Sequence, residues 1–183
     1  MQVGIVNMYR YSAGPVYVKK ALEFLGYRPY VIDGFTNSNQ TLRDIKATSI
    51  KHWIFTGSPH AVLDSKSVQV PLDILKMSQK KFLLLCYSME SFLFQLGYQL
   101  KERYKGKKEF FSLQVQGFQE SLELYRNHFW YIPKTEFVRS TLRLLAYYGR
   151  EAMIVKYKQC LLMQFHPEKT RDGIQLIKQW LES

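Results

Sequence analysis

One segment of the chain places a nucleophilic side chain where a strand turns into a helix. In residues 81–97, KFLLLCYSMESFLFQLG, an apolar strand ends at Cys86, and a helix with Ser88 near its start follows. At such a turn a cysteine is open to substrate, and the N–H groups and dipole of the helix N-terminus stabilise its thiolate. Because free cysteine is also common in protein cores, this segment alone supports a nucleophile and a core residue equally.

A second segment, LLMQFHPEKT at residues 161–170, pairs a base with a carboxylate. Pro167 disfavours helix at the residue before it, so His166 and Glu168 lie two apart in extended chain and point the same way. The carboxylate of Glu168 can then fix the tautomer of His166 while the other ring nitrogen faces a nucleophile. Taken alone, the tetrapeptide FHPE at residues 165–168 is more typical of an exposed loop.

The third segment, HWIFTGSPHAV at residues 52–62, runs from a strand into a glycine turn. Gly57 lets the backbone approach a ligand closely. Its N–H group and that of Tyr87 are candidate donors for an oxyanion hole, where one donor is typically worth about 100- to 1,000-fold in rate. Taken alone, a plain strand–loop turn explains this segment as well.

Alternating elements must position these residues. Apolar runs predict strands over 3–7, 30–32, 52–56 and 82–85, separated by helices that begin after Pro15, at Thr41 and near Pro71. This alternation predicts parallel pairing in a doubly wound, flavodoxin-like sheet. β-rich stretches at 109–115, 136–147, 152–157 and 160–165 predict an antiparallel extension, and an apolar stripe over 174–181 predicts a C-terminal helix. The predicted fold is three-layer α/β, with a mostly parallel central sheet and helices on both faces.

Length and composition limit the class of protein. The 183 residues show no repeat or linker and predict one domain over 1–183. A hydrophobic fraction of 46% and a charged fraction of 22% exclude a disordered chain or a coiled coil. With two cysteines, no apolar run of membrane-span length and no signal-peptide pattern, we expect a cytoplasmic protein without a membrane partner.

The chain is basic, with 26 Lys and Arg against 15 Asp and Glu and a formal net charge of +11. Its one dense basic cluster, at residues 101–108, is predicted to be a solvated loop around Gly106. Since zinc-ligand spacing, RNP-like aromatic motifs and helix-turn-helix punctuation are missing, the sequence argues against a nucleic-acid surface. An acidic protein partner stays open.

In this order the three segments resemble the class I (triad) glutamine amidotransferase family over nearly the whole chain. TGSP is similar to the oxyanion loop of that family, usually S-G-G-P, and RNHFWYIPKT at residues 126–135 matches its segment with a histidine ahead of an apolar-proline stretch. QFHPE is identical to the family motif and is the most specific of the set. TGSP and NHFWYIP favour the amidotransferase part of GMP synthase over the imidazole glycerol phosphate synthase subunit.

The resemblance implies a glutaminase that needs neither metal nor cofactor. Cys86 would attack the side-chain amide of glutamine, His166 would transfer the proton, and Glu168 would orient His166. Gly57 and Tyr87 would hold the oxyanion. Asn127 and His128 would lie at the rim, where the family contacts glutamine through backbone atoms. The released ammonia would pass to a synthase that is a separate protein.

The elbow departs from the family pattern G-x-C-x-G-x-Q, because Leu84, Ser88 and Glu90 occupy its small-residue and glutamine positions. An ionised Glu90 cannot donate a hydrogen bond to substrate as glutamine does. We therefore expect altered substrate specificity or a glutaminase activity that is weak without a partner. A γ-glutamyl hydrolase acting on a peptide or conjugate, and a non-catalytic regulator that keeps the fold, are the alternative functions.

Overall fold

A computed structural model of the chain describes residues 1–10, 14–64 and 67–183. In these ranges the strands are β1 (Gln2–Asn7), β2 (Arg28–Asp33), β3 (His52–Phe55), β4 (Lys81–Leu85), β5 (Lys101–Leu113), β6 (Leu122–Tyr131), β7 (Arg143–Tyr148), β8 (Glu151–Tyr157) and β9 (Cys160–Met163). The helices are α1 (Val16–Phe24), α2 (Ser38–Lys46), α3 (Tyr87–Gln95) and α4 (Arg171–Glu182). Short 3-10 helices span Leu72–Lys76, Lys134–Phe137 and Pro167–Lys169.

Seven strands form the central sheet in the order β2-β1-β3-β4-β9-β8-β7. The first five of these run parallel, and β8 and β7 extend the sheet as antiparallel strands. The central strands β3 and β4 are apolar and almost fully buried, as expected for strands covered on both faces. The predicted α/β sheet with an antiparallel extension is confirmed, although the stretch 109–115 does not join it, because its residues up to Leu113 belong to β5, outside this sheet.

Two hydrophobic clusters cover the two faces of this sheet. Alternate side chains of each strand enter opposite clusters, since Trp53 packs with Leu42 and Phe92 on one face while Ile54 packs with Leu22 and Ile177 on the other. Helices α2 and α3 therefore lie on one face and α1 and α4 on the other. This arrangement is the predicted three-layer architecture.

The strands β5 and β6 form a separate antiparallel pair. The prediction of a loop over residues 101–108 is wrong, because these residues belong to β5, with a register shift between Glu102 and Lys107. Gly106 serves cross-strand packing, since a Cβ there would lie 2.5 Å from the ring of Phe129 on β6. Strand β6 was not predicted.

Three smaller expectations also differ from the structure. The side chain of Asn37 caps α2, and Thr41 lies within that helix rather than at its start. The segment after Pro71 forms one 3-10 turn instead of a longer helix. The stretch 136–147 begins with a 3-10 turn and becomes a strand only at Arg143. In the described ranges no helix has the length and apolar character needed to cross a membrane.

Candidate active site

Cys86 occupies the turn between β4 and α3, as the sequence predicts. Its backbone has φ 47° and ψ −109°, a left-handed conformation that costs a residue with a side chain about 1–3 kcal/mol. The turn is held by two hydrogen bonds, from the Cys86 N–H to the Met163 carbonyl (2.7 Å) and from the Glu90 N–H to the Cys86 carbonyl (3.1 Å). Backbone strain of this kind clusters at functional sites, and here it presents the thiol at the carboxyl edge of the parallel strands.

His166 and Glu168 meet as predicted and lie close to Cys86, but Pro167–Lys169 forms a 3-10 helix and not the predicted extended chain. The Nδ1 atom of His166 is 2.9 Å from Oε1 of Glu168, and both side chains are 7% exposed. The imidazole is also close enough to Cys86 for each of the two groups to shift the pKa of the other. Burial alone would lower the pKa of His166, but the Glu168 carboxylate and Cys86 outweigh it and raise that pKa well above its usual value.

Burial sets the resting state of the thiol. The pKa of Cys86 is raised because burial disfavours the thiolate, while His166 and a hydrogen bond from the Tyr87 N–H oppose that rise. The neighbouring Glu90 carboxyl adds to it. Among the groups around the thiol, His166 therefore opposes the effect of burial most strongly.

The glycine turn after β3 reaches the same point. A Cβ on Gly57 would lie 3.0 Å from Cε1 of His166 and 3.6 Å from Cβ of Cys86, so only glycine leaves this space open. The Ser88 hydroxyl donates to the Thr56 carbonyl at 2.6 Å and ties the start of α3 to the turn. Both predicted oxyanion donors, Gly57 and Tyr87, thus lie beside Cys86.

Glu90 lies on α3 one turn beyond the thiol and is 4% exposed. Its Oε1 accepts a 2.7 Å hydrogen bond from Nε2 of Gln164, the first residue of the QFHPE motif. Burial raises the pKa of Glu90 to about 7, although the hydrogen bond from Gln164 and the charge of His166 lower it in part. This carboxyl is therefore protonated in part near neutral pH.

Asn127 and His128 approach the site in different ways. The carbonyl oxygen of Asn127 accepts a 3.8 Å hydrogen bond from the Cys86 sulfur. The side chain of His128 instead turns toward Glu151, with Nε2 3.1 Å from Oε2 of that residue. Both residues contribute to one cavity of about 360 Å³, together with Ser58, Pro59, His60, Ala61, Cys86, Tyr87, Glu90, Glu102, Phe129 and Trp130.

Tyr9 is a neighbour of the site that the sequence analysis did not identify. Its hydroxyl oxygen lies 3.6 Å from the position of a Cβ on Gly57. Burial and the nearby charges of Cys86 and Glu168 raise its pKa. The position of Tyr9 in the sequence could have identified it, because it follows β1 at the edge of the sheet where parallel strands bring functional residues together. Among the described residues, no group of three or more His, Cys, Asp or Glu is arranged to hold a metal ion.

Comparison with known proteins concerns the fold of this chain. No family model matches the sequence, and no curated protein matches it. The solved structure of a provisionally assigned GMP synthase subunit from Thermoplasma acidophilum aligns over 100% of this chain and 92% of its own, with TM-score 0.73 and 13% identity. The chain has the class I glutamine amidotransferase fold.

Two further structures agree with that assignment of the fold. PurLQS from Thermotoga maritima aligns over 99% of this chain and 97% of its own, with TM-score 0.72 and 13% identity. The protein SMU.1228c aligns over 98% of this chain and 82% of its own, with TM-score 0.65 and 12% identity. At these identities the similarity concerns the fold, and the chemistry follows from the residues of this chain alone.

Proposed function

We propose that this chain is a single-domain glutaminase of the class I amidotransferase type that supplies ammonia to a separate synthase. The observation that carries the proposal is the strained turn at Cys86 with the hydrogen-bonded pair His166–Glu168 beside it. A nucleophile next to a base that an orienting carboxylate holds is the arrangement that nucleophilic catalysis requires. The similarity to PurLQS and to a GMP synthase subunit supports a synthase partner.

In the proposed reaction the Cys86 sulfur attacks the side-chain amide carbon of glutamine as His166 accepts the thiol proton. The resulting oxyanion is held by the N–H groups of Gly57 and Tyr87. His166, oriented by Glu168, returns the proton to the leaving nitrogen, so that ammonia departs and a γ-glutamyl thioester remains. Water then attacks the thioester, glutamate is released and the thiol is restored.

Substrate binding is assigned to three residues of the cavity. Asn127 and His128 offer backbone atoms beside the thiol, and Glu90 offers a buried carboxyl. Besides glutamine and water, the proposed reaction uses only groups of the chain itself. We expect the reaction in the cytoplasm, because a catalytic free thiol stays reduced there.

The test is intact-mass spectrometry after treatment with an electrophilic glutamine analogue. We expect one adduct in the wild type and none in Cys86→Ser. Cys160→Ser is the matched control and keeps the adduct, because Cys160 is fully buried and burial raises its pKa to about 12. An adduct that persists in Cys86→Ser would refute the assignment of the nucleophile.

A γ-glutamyl hydrolase is the second candidate, and the buried Glu90 favours it, because a carboxyl replaces the expected carboxamide in the cavity. In that case iodoacetamide labels Cys86 but the glutamine analogue does not, and a γ-glutamyl peptide is hydrolysed. Failure of iodoacetamide and the analogue alike to label Cys86 would exclude both enzymes and leave the non-catalytic regulator.

A further inference from the structure

The backbone of residues 125–128, here called the bridging segment, contacts both members of the proposed nucleophile–base pair. The carbonyl of Tyr125 accepts a 2.8 Å hydrogen bond from the backbone N–H of His166. The carbonyl of Asn127, two residues on, accepts the 3.8 Å hydrogen bond from the Cys86 sulfur. The segment therefore contacts the thiol of Cys86 and the backbone of His166 together.

The bridging segment lies on β6, which pairs with β5 outside the central sheet. Within the described ranges, β6 does not pair with any strand of the central sheet, so strand pairing does not fix the position of the bridging segment relative to the thiol. The end of β6 is joined to the sheet by an isolated bridge between Pro133 and Glu151 and a 2.9 Å hydrogen bond from the Ala152 N–H to the Ile132 carbonyl. Side chains must supply the remaining positioning.

The two alternate side chains of the segment converge on one carboxylate. Arg126 and His128 are 2% and 4% exposed, and because they alternate with the exposed Asn127 along β6 they lie on the opposite face of the strand. Nη1 of Arg126 and Nε2 of His128 each lie 3.1 Å from Oε2 of Glu151. Arg103 on β5 forms an ion pair with the other oxygen of Glu151. Glu151, 3% exposed, thus holds the flanks of Asn127.

The protonation states fit this arrangement. Burial and the charges of Arg126 and Arg103 lower the pKa of His128 to about 3, so the ring is neutral at physiological pH. With a carboxylate as the partner, Nε2 carries the proton and donates to Glu151. The carboxylate of Glu109 shares Arg126 from the outer side, where its side chain is 37% exposed. Charge-assisted hydrogen bonds of this kind are stronger than those between neutral groups, and they also fix the relative orientation of the groups that they join.

We propose that Glu151 is a positioning residue, which sets the Asn127 carbonyl on the Cys86 sulfur by fixing Arg126 and His128 on either side of it. The inference rests on the proposed glutaminase function, since it assigns the residue that shapes the substrate side of that site. Glu151 neither touches the thiol nor lines the cavity, so it acts through the bridging segment.

The first measurement compares labelling of Cys86 by the glutamine analogue with labelling by iodoacetamide, which needs no substrate pocket. In Glu151→Gln the ratio of the two second-order rate constants is expected to fall at least about tenfold, the effect of losing a charge-assisted hydrogen bond that positions substrate. In steady-state glutamine hydrolysis the loss is expected mainly in KM. Glu109→Gln is the matched control, because it removes a partner of the same arginine, and its ratio stays within about twofold.

The second measurement does not depend on activity. Hydrogen exchange of the peptides that cover 122–131 and 160–170 is expected to accelerate in Glu151→Gln and not in Glu109→Gln, because the His166 N–H loses its fixed acceptor. Arg126→Lys, which keeps the charge but loses the planar fork, serves as a second variant if Glu151→Gln fails to show a native circular dichroism spectrum.

The outcomes separate the two claims. Unchanged exchange together with an unchanged labelling ratio in a folded variant would overturn the positioning role of Glu151. A wild type that reacts with iodoacetamide but not with the glutamine analogue would instead overturn the glutaminase function. In that event, accelerated exchange in Glu151→Gln alone would still support the positioning of the bridging segment.

Discussion

Glu90 is a residue at which ionisation and stability are closely linked. Its folded-state pKa of about 7 lies above the ordinary value of 4.5, because burial disfavours the carboxylate. Below pH 4.5 the carboxyl is protonated in both folded and unfolded chains, and its burial then costs no ionisation energy. As pH rises to 7 and beyond, the unfolded chain ionises more easily, so the free energy of unfolding falls by about 3 kcal/mol.

Glu90→Gln is therefore expected to stabilise the protein increasingly as pH rises above about 4.5. Glutamine keeps the oxygen that accepts from Gln164, and it has no charge to bury. We expect the variant to exceed the wild type by up to about 3 kcal/mol in free energy of unfolding at pH 8 and to match it near pH 4.5. Urea denaturation at pH 4.5, 6 and 8 measures this, and a difference that does not depend on pH would contradict the burial of an ionisable carboxyl. If the apparent affinity for glutamine is the same in both proteins, Glu90 has no role in specificity.

Single residues were predictable where their chemistry depends on local chain geometry. The turn at Cys86 follows from a strand–helix junction. The contact between His166 and Glu168 was predicted from extended chain, whereas Pro167–Lys169 forms a 3-10 helix that brings the same two side chains together. Glu151 was not predictable, because its partners come from β5 and β6, which are distant in sequence. Local patterns do not encode such non-local pairs.

At the scale of elements, the turn after β3 is expected to be the most sensitive part of the site. Gly57→Ala would place a methyl group 3.0 Å from Cε1 of His166, which displaces the ring or the turn. Because small displacements of catalytic groups are costly, we expect kcat/KM for glutamine to fall at least about tenfold. The melting temperature is expected to change little, since the turn lies at the end of the strand and outside the hydrophobic core.

The comparison of activity with the melting temperature checks this prediction. An unchanged kcat/KM would mean that neither the histidine nor the Gly57 N–H contributes as proposed. A large fall in the melting temperature would mean that Gly57 is needed for folding rather than for the site. Iodoacetamide labelling of Cys86 supplies the internal control, because it reports whether the thiol itself is still accessible.

Elements with a continuous apolar pattern were predictable, and elements stabilised by distant pairing were not. The strands β1, β3 and β4 and the helix α4 appear close to their predicted positions. In contrast, the basic stretch at 101–108 has the composition of a loop, yet it forms a strand because β6 supplies its hydrogen-bond partners. Alternation in this stretch sends Arg103 inward to Glu151. Pairing with the buried carboxylate of Glu151 thus draws Arg103 away from solvent, which the local sequence does not predict.

For the whole molecule, the net charge of +11 is the property that the proposed chemistry does not use. Several of the basic residues are exposed along one strand, as Lys101, Lys105 and Lys108 are on β5. Like charges repel one another and destabilise the compact state, and salt screens this repulsion over about 10 Å at 0.1 M. The isolated protein should therefore gain stability with ionic strength.

We expect the melting temperature at pH 7 to rise by a few degrees between 20 mM and 500 mM NaCl, which corresponds to about 1 kcal/mol for a chain of this size. The double variant Lys105→Gln and Lys108→Gln should start from a higher melting temperature at low salt and show a smaller rise. Lys76→Gln is the matched control, because Lys76 is an exposed lysine that pairs with Asp73 at 2.8 Å. Its substitution removes an attraction together with the repulsion. A melting temperature that falls with salt would show that ion pairs outweigh repulsion, and the excess positive charge would then be no burden that an acidic partner has to relieve.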